Sequence, residues 1–155
     1  MEHFIPGFPS LNLQHLIFDF NGTLACNGTL IEGVEKQLNR LSEKYAIHIV
    51  TADTFGTVKE QIQNICCEII IIPEDKQDQT KLDYMKSIPG ATCACIGNGR
   101  NDALMLRHAA LGIAVIGCEG ASSKTLMAAD IVVNTITDAL DLFIYPNRLK
   151  ATLRK

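Results

Sequence analysis

The chain has 155 residues, enough for one domain (1–155) that buries a core without disulfides or a structural metal. With 47% hydrophobic residues, 20% charged residues and a formal net charge of −3, it reads as soluble and globular, without the basic footprint of a nucleic-acid binder. Its longest apolar runs, Ile69 to Ile72 and Leu111 to Ile116, are too short to span a membrane, and no basic flank with an apolar core opens the chain, so the expected location is the cytoplasm.

Residues 1–13 hold two prolines, a glycine and the alternating piece Leu11-Asn12-Leu13, which predicts an N-terminal edge hairpin. The apolar run Leu16-Ile17-Phe18 is a buried strand that delivers Asp19 into the turn Phe20-Asn21-Gly22-Thr23. Asn-Gly is also a common turn pair, so this stretch alone is compatible with an ordinary turn. In residues 24–31, Asn27-Gly28 between short apolar flanks predicts a flap hairpin. Val34, Leu38, Leu41 and Tyr45 recur at helical spacing, and Ala46 to Val50 is a second strand ending in Thr51-Ala52-Asp53.

Val58, Ile62 and Ile65 predict a second helix, and Glu68 to Ile72 is a third strand stopped by Pro73. Asp78 to Ser87 reads as a helix with Lys81 in its first turn, ended by Pro89-Gly90. The strand Ala91 to Ile96 runs into Gly97-Asn98-Gly99-Arg100-Asn101-Asp102, with a helix over Ala103 to Ala110. Two further units follow: strand Gly112 to Ile116 with helix Ala121 to Ala129, then strand Asp130 to Val133 with helix Thr135 to Ile144.

Alternating helices and near-continuously apolar strands define an α/β doubly wound fold, a Rossmann-like three-layer sandwich with a mainly parallel sheet. Ligands of such sheets bind outside the carboxyl ends of the strands. Asp19, Thr51 and the loop from Gly97 to Asp102 all follow strand ends, so one cleft is expected to gather them. A carboxylate, a glycine that lets backbone approach closely and hydroxyl groups suit the handling of phosphate.

In their order along the chain, Asp19-Phe20-Asn21-Gly22-Thr23, Thr51, Lys81 and Gly97-Asn98-Gly99-Arg100-Asn101-Asp102 resemble the four motifs of the haloacid dehalogenase-like (HAD) superfamily, over residues 14–145. Within it the chain looks most like the small soluble group similar to the phosphorylation domain of P-type ATPases. The resemblance implies that Asp19 is a nucleophile that accepts a phosphoryl group and that Thr51 and Lys81 hold the phosphoryl oxygens, with Phe20, Gly22, Thr23 and Ala52 lining the phosphate. It also implies a Mg²⁺ cofactor held by Asp19, Asn21, Asn98 and Asp102. A hard cation with oxygen ligands plus one lysine matches the charge that phosphoryl transfer must balance. Lys81 is preferred to Lys76, which sits in a polar loop.

Two positions depart from the pattern. Phosphatases of the superfamily carry a second Asp two residues after the nucleophile as general acid and base, where this chain has Asn21. An amide cannot shuttle that proton, and the loss is worth about 10²–10⁴-fold in rate. The expected activity is therefore a slow phosphohydrolase or phosphotransferase, favouring good leaving groups such as acyl or aryl phosphates or a nucleotide's terminal phosphate. The alternative is a phosphate- or nucleotide-binding regulatory module with little turnover. Asn98 stands where the superfamily has a metal-binding Asp, which predicts weaker Mg²⁺ affinity.

Between Thr23 and Thr51, and between Thr51 and Lys81, there is no room for a cap domain. The phosphorylated substrate is then macromolecular, covering the open cleft itself, or the cover comes from another copy in a homo-oligomer. The glycines at 97 and 99 do not extend to a dinucleotide fingerprint, because Asp102 stands at the third position. The six cysteines show no CxxC pair and read as buried free thiols; His3, His15, His48 and His108 read as satisfied or exposed, and the basic tail from Arg148 as a solvated terminal helix.

Overall fold

A computed structural model describes residues 2–89 and 92–155. Strands β1 (Glu2–His3) and β2 (Leu11–Asn12) pair antiparallel as a two-stranded sheet of their own, so the expected hairpin forms but does not extend the edge of the main sheet. Its Ile5, Leu11 and Leu13 join the core instead.

After β3 (His15–Phe18) comes the flap, β4 (Ala25–Cys26) and β5 (Thr29–Leu30), turned by Asn27 and Gly28 with φ of 51° and 79°, the left-handed pair that a two-residue hairpin turn uses. Helix α1 (Val34–Ser42), strand β6 (Ala46–Thr51), helix α2 (Val58–Gln61) and strand β7 (Glu68–Ile71) follow, then α3 (Gln77–Ser87) and β8 (Cys93–Gly97). A 3₁₀ turn (Arg100–Asp102) leads into α4 (Ala103–His108), β9 (Leu111–Val115), α5 (Ser123–Ala128), β10 (Ile131–Val133), α6 (Ile136–Ile144) and α7 (Pro146–Leu153). Gly90 and Ala91, expected to end α3 and begin β8, lie outside the described residues.

Among the described residues, six strands pair in parallel in the order β10-β9-β8-β3-β6-β7. The strands are apolar throughout because both faces are covered. On β3, Leu16 and Phe18 pack into one core with α1 and α6, while Ile17 packs into the other with Leu82 and Met85 of α3 and Met105 and Leu106 of α4. Helices on both faces make the three-layer α/β sandwich. Phe18 stands opposite Ile49 of β6 and Ile96 of β8, so Asp19 emerges level with the ends of both neighbours.

Some local expectations change. Helix α2 is a single turn, although Ile62 and Ile65 are buried as the periodicity predicts. Asn39 of α1 explains the early stop: its Nδ2 donates to Asn64 O at 2.9 Å and its Oδ1 accepts from Cys66 N at 3.1 Å, fixing backbone that a longer helix would have used. The helix α3 begins at Gln77, which places Lys81 one turn inside it. The terminal helix α7 is docked rather than wholly solvated, with Leu149 fully buried and Arg148 bound to Asp141 at 3.0 Å. Two of the scattered histidines meet across β3 and β6, His15 Nδ1 lying 3.0 Å from His48 Nε2. Among the described residues, no helix is long and apolar enough to cross a membrane.

Candidate active site

The site is built on the carboxyl end of β3, the middle of the sheet. Asp19 N donates to Ile96 O at 3.0 Å, which continues the β3–β8 pairing by one residue and aims the carboxyl group out of the sheet. The chain then turns tightly: Thr23, Leu24 and Ala25 all donate their N–H groups to Phe20 O, and Gly22 N donates to Ala25 O at 2.9 Å. Gly22 has φ 79°, and a Cβ there would lie 2.5 Å from Asn98 Nδ2, so this position requires glycine for both conformation and space. Phe20 is a core side chain. The N–H groups of Gly22 and Thr23 are both used within the turn and shape the loop. Thr23 works through its hydroxyl, 3.2 Å from Asp19 Oδ2 and 3.2 Å from Asn98 Oδ1.

Beneath Asp19 lies a buried charge triad. Lys81 reaches up from α3, its Nζ 2.7 Å from Asp19 Oδ1 and 2.8 Å from Asp102 Oδ1, and both Lys81 and Asp102 are 0% exposed. Asp102 Oδ2 accepts from Asn98 N at 3.1 Å and Gly99 N at 3.0 Å. A Cβ at Gly97 would run into the Asp102 carboxyl, so the glycine there makes room for it. The carboxylate of Asp102, expected from the resemblance as a metal ligand, is turned onto Lys81 and the loop amides. Its place is behind Lys81.

Two acids share one base, and the pKa values follow. Burial and the charge of Asp102 push Asp19 up from 3.8 to about 6, while Lys81 and the Thr23 hydroxyl pull it partly back. For Lys81, burial alone would lower the pKa, but Asp102 and Asp19 outweigh it and raise it above the ordinary lysine range. Lys81 is thus a fixed positive charge, and Asp19 is a carboxylate at neutral pH held in a state that costs the fold something.

Above the triad opens a cleft of about 190 Å³ lined by Asp19, Asn21, Thr51, Ala52, Asn98 and Glu119, among others. Thr51 is buried at the end of β6, and its Oγ1 accepts from Asp53 N at 3.0 Å, which leaves its hydroxyl hydrogen to donate elsewhere. Asp53 adopts φ 51° and its Oδ1 accepts from Val58 N at 3.0 Å, pinning the start of α2. The cleft continues across Gln77, Gly99 and Asn101 into a wider depression of about 540 Å³ that includes Lys76 and Arg100. Asn101 Nδ2 donates to Gln77 Oε1 at 2.8 Å and ties the Gly97–Asp102 loop to α3.

The donor chemistry in the cleft suits a hard divalent cation. Among the described residues, no group of three or more His, Cys, Asp or Glu could hold a metal ion, so any ion here draws on amide and carbonyl oxygens as well as carboxylate. Asp19 Oδ2 and Asn98 Oδ1 converge on the single Thr23 hydroxyl, which has one hydrogen to give, so one oxygen is always left without it. Asn21 Oδ1 is buried without a hydrogen-bond partner. Oxygens left short of donors are what a cation would satisfy.

Glu119 was not singled out by sequence, nor was a disulfide. Cys26 of the flap is bonded to Cys118, which corrects the reading of all six cysteines as free thiols. Of the others, Cys93 and Cys95 are buried, Cys67 is half-buried and Cys66 is exposed. The bridge joins positions separated by 92 residues and carries Glu119 to the mouth of the cleft. Nothing in the local sequence marks that pairing; only the adjacency of the flap to the loop after β9 creates it.

The fold has solved counterparts. A 3-deoxy-D-manno-octulosonate 8-phosphate phosphatase from Moraxella catarrhalis, in complex with magnesium, phosphate and KDO, superposes with a TM-score of 0.71 over 92% of this chain and 94% of that one, at 17% identity. The cobalt-bound deoxy-D-mannose-octulosonate 8-phosphate phosphatase of Haemophilus influenzae gives 0.72 over 93% and 94%, at 14% identity. A phosphatase of the haloalkanoate enzyme superfamily from Bacteroides thetaiotaomicron gives 0.61 over 90% and 96%, at 12% identity. The chain therefore has the HAD-superfamily fold, with only a hairpin and single helices where a cap domain would be inserted. No family model matches the sequence. An uncharacterized protein of Methanocaldococcus jannaschii is 58% identical over 72 residues, 46% of this chain and 77% of that protein, and a second is 44% identical over 39 residues, 25% and 89%. The chain belongs to the family of these archaeal proteins.

Proposed function

We propose that this chain is a Mg²⁺-dependent phosphohydrolase or phosphotransferase that works through an aspartyl phosphate on Asp19. The observation that carries this reading is the Asp19–Lys81–Asp102 triad at the floor of an open cleft, at 2.7 Å and 2.8 Å, at the carboxyl end of the central strand. The carboxylate of Asp19 attacks phosphorus and the bond from phosphorus to the leaving oxygen breaks, that oxygen keeping the electron pair. Lys81 balances the charge from below and the Thr51 hydroxyl donates to a phosphoryl oxygen from the side, beside Ala52. Asp19, the Asn21 carbonyl and Asn98 would hold a Mg²⁺ ion, which would supply further charge compensation for the phosphoryl oxygens. Asp102 holds Lys81 in place. Water then attacks the aspartyl phosphate, which releases phosphate and restores the Asp19 carboxylate.

Asn21 cannot protonate the leaving group or deprotonate that water. The missing acid and base catalysis costs about 3–5 kcal/mol of barrier, so leaving groups that depart as stable anions are favoured and the phosphoenzyme is long-lived, as in the P-type pumps the sequence resembles. Acyl phosphates, aryl phosphates and a nucleotide's terminal phosphate meet that requirement. The open cleft and the depression beside it favour a large substrate, or cover from a second copy of the chain, in the cytoplasm. Asn21 also favours a second reading, a phosphate-binding regulatory module with little turnover.

Intact-mass spectrometry decides between them. With Mg²⁺ and acetyl phosphate at near-neutral pH, quenched in acid, the parent gains one phosphoryl group and Asp19→Asn does not. A parent that gains no adduct and releases no phosphate from any donor removes the catalytic reading.

A further inference from the structure

Glu119 is a cleft residue that the proposed reaction leaves unused. It shares the cleft with Asp19, Asn21 and Asn98. A Cβ built on Gly22 would lie 2.6 Å from Glu119 Oε2 and 2.9 Å from Asn98 Oδ1, so both oxygens face the small space that the absent side chain of Gly22 leaves open. The Glu119 side chain is on an exposed loop, but its backbone is stitched down on every side. Gly117 N donates to Asn134 O at 2.8 Å, Asn98 Nδ2 donates to Gly120 O at 2.9 Å, Ser122 N donates to Asn98 O at 2.8 Å, and Cys118 is bonded to Cys26 of the flap.

Charge makes the placement meaningful. With amides at positions 21 and 98, Asp19 is the one carboxylate left to a cation in the cleft, because Asp102 is committed to Lys81. Mg²⁺ sites commonly use one or two carboxylates with carbonyl oxygens and phosphate. We propose that Glu119 supplies the second carboxylate of the divalent-cation site, the negative charge that the amide of Asn98 lacks, and that the Cys26–Cys118 disulfide holds it there. The proposal rests on the phosphoryl-transfer reading of the same cleft. It makes the flap and the loop after β9 one clamp, with the cation drawn to the side of the cleft that Asn98 alone would leave neutral.

Calorimetric titration of the intact, oxidised protein with MnCl₂, without any phosphate, tests this directly. Glu119→Gln is expected to weaken binding by at least about tenfold, and adding Asn98→Asp to that variant is expected to restore it. Glu43→Gln, an equal change of charge before β6 at the opposite end of the strands, leaves affinity unchanged. Cys26→Ser with Cys118→Ser weakens it in the same direction as Glu119→Gln, with the fold checked by circular dichroism. Binding by Glu119→Gln equal to the parent, while Asp19→Asn has lost the ion, overturns the role of Glu119 and leaves the phosphoryl-transfer reading standing. Parent affinity in the double serine variant overturns the part assigned to the disulfide. A parent that binds no Mn²⁺ at millimolar concentration overturns the Mg²⁺-dependent reading and this proposal together.

Discussion

The Lys81 ammonium lies 2.7 Å from Asp19 Oδ1 in a pair almost closed to solvent, so the side chain that the proposed reaction needs as an anion is also bonded to a fully buried cation. Function and stability therefore meet at one contact, and the two pull in different directions.

Lys81→Met leaves Asp19 and Asp102 buried near each other with no counter-charge. Breaking a buried ion pair from one side costs about 3–5 kcal/mol. Urea denaturation at pH 7 is expected to show a loss of that order. Asp19→Asn is expected to cost far less, because it removes one of two acids that compete for the same lysine.

Asp19 has a raised pKa in the folded state, about 6 against 3.8, so between these values the native protein holds a proton that the unfolded chain releases. Stability from this group is therefore greatest below pH 4 and falls as pH rises through 6. Thermal melts of the metal-free parent from pH 4 to 7 are expected to carry this trend, and Asp19→Asn to lack it. Phosphoenzyme formation has the opposite sense: it needs the carboxylate, and its rate is expected to fall as pH drops below about 6 when measured at low cation concentration.

Asn21→Asp restores a proton shuttle where Asn21 Oδ1 now has no hydrogen-bond partner. Decay of the acid-quenched phosphoryl adduct after removal of donor is expected to accelerate by about 10²-fold or more. An unchanged adduct lifetime would place the slow step elsewhere.

Gly97→Ala drives a methyl group into the Asp102 carboxyl. Overpacking of this kind costs about 1–3 kcal/mol, and here the displaced group is the support of Lys81. Loss of phosphoenzyme formation should therefore exceed what the fall in denaturation midpoint alone would produce.

The disulfide closes a loop whose ends are 92 positions apart in sequence. Cys26→Ser with Cys118→Ser is expected to lower unfolding free energy by about 2–4 kcal/mol. Unfolding of the parent with and without a reducing agent should differ by the same amount, and the double variant should not respond to reductant.

Much of the frame was legible because its signals are local. Leu16 to Phe18, Ala46 to Val50 and Leu111 to Ile116 are apolar without alternation, and a sheet covered on both faces demands that pattern. Once those strands are parallel, Asp19, Thr51 and Asn98 must arrive at the same end, and the structure places all three at one cleft. What escaped was set by contacts distant in sequence. The grip of Asn39 on Asn64 and Cys66 shortens α2, and no property of residues 58–65 reveals it. The sequence reads Asp102 only as a metal ligand; its bonds to Lys81 and two loop amides join residues that the sequence gives no sign of bringing together. Glu119 sits in a polar loop of no periodic character, and the thiol pairing that positions it depends on where the flap comes to rest.

The order of strands also sets when the molecule can become itself. β3, near the start of the chain, has β8 as one of its two neighbours, with His15 opposite Cys93. A nascent chain that has emerged only as far as Ile72 can pair β3 with β6 and β7, yet the other side of β3 stays bare and Lys81, Asn98 and Asp102 have not been made. Contacts so far apart in sequence slow folding and prolong the life of unpaired, apolar edges. The central strand is therefore the first of the main sheet to be synthesised but is not completed until β8 has been made, and Asp19 at its tip waits with it.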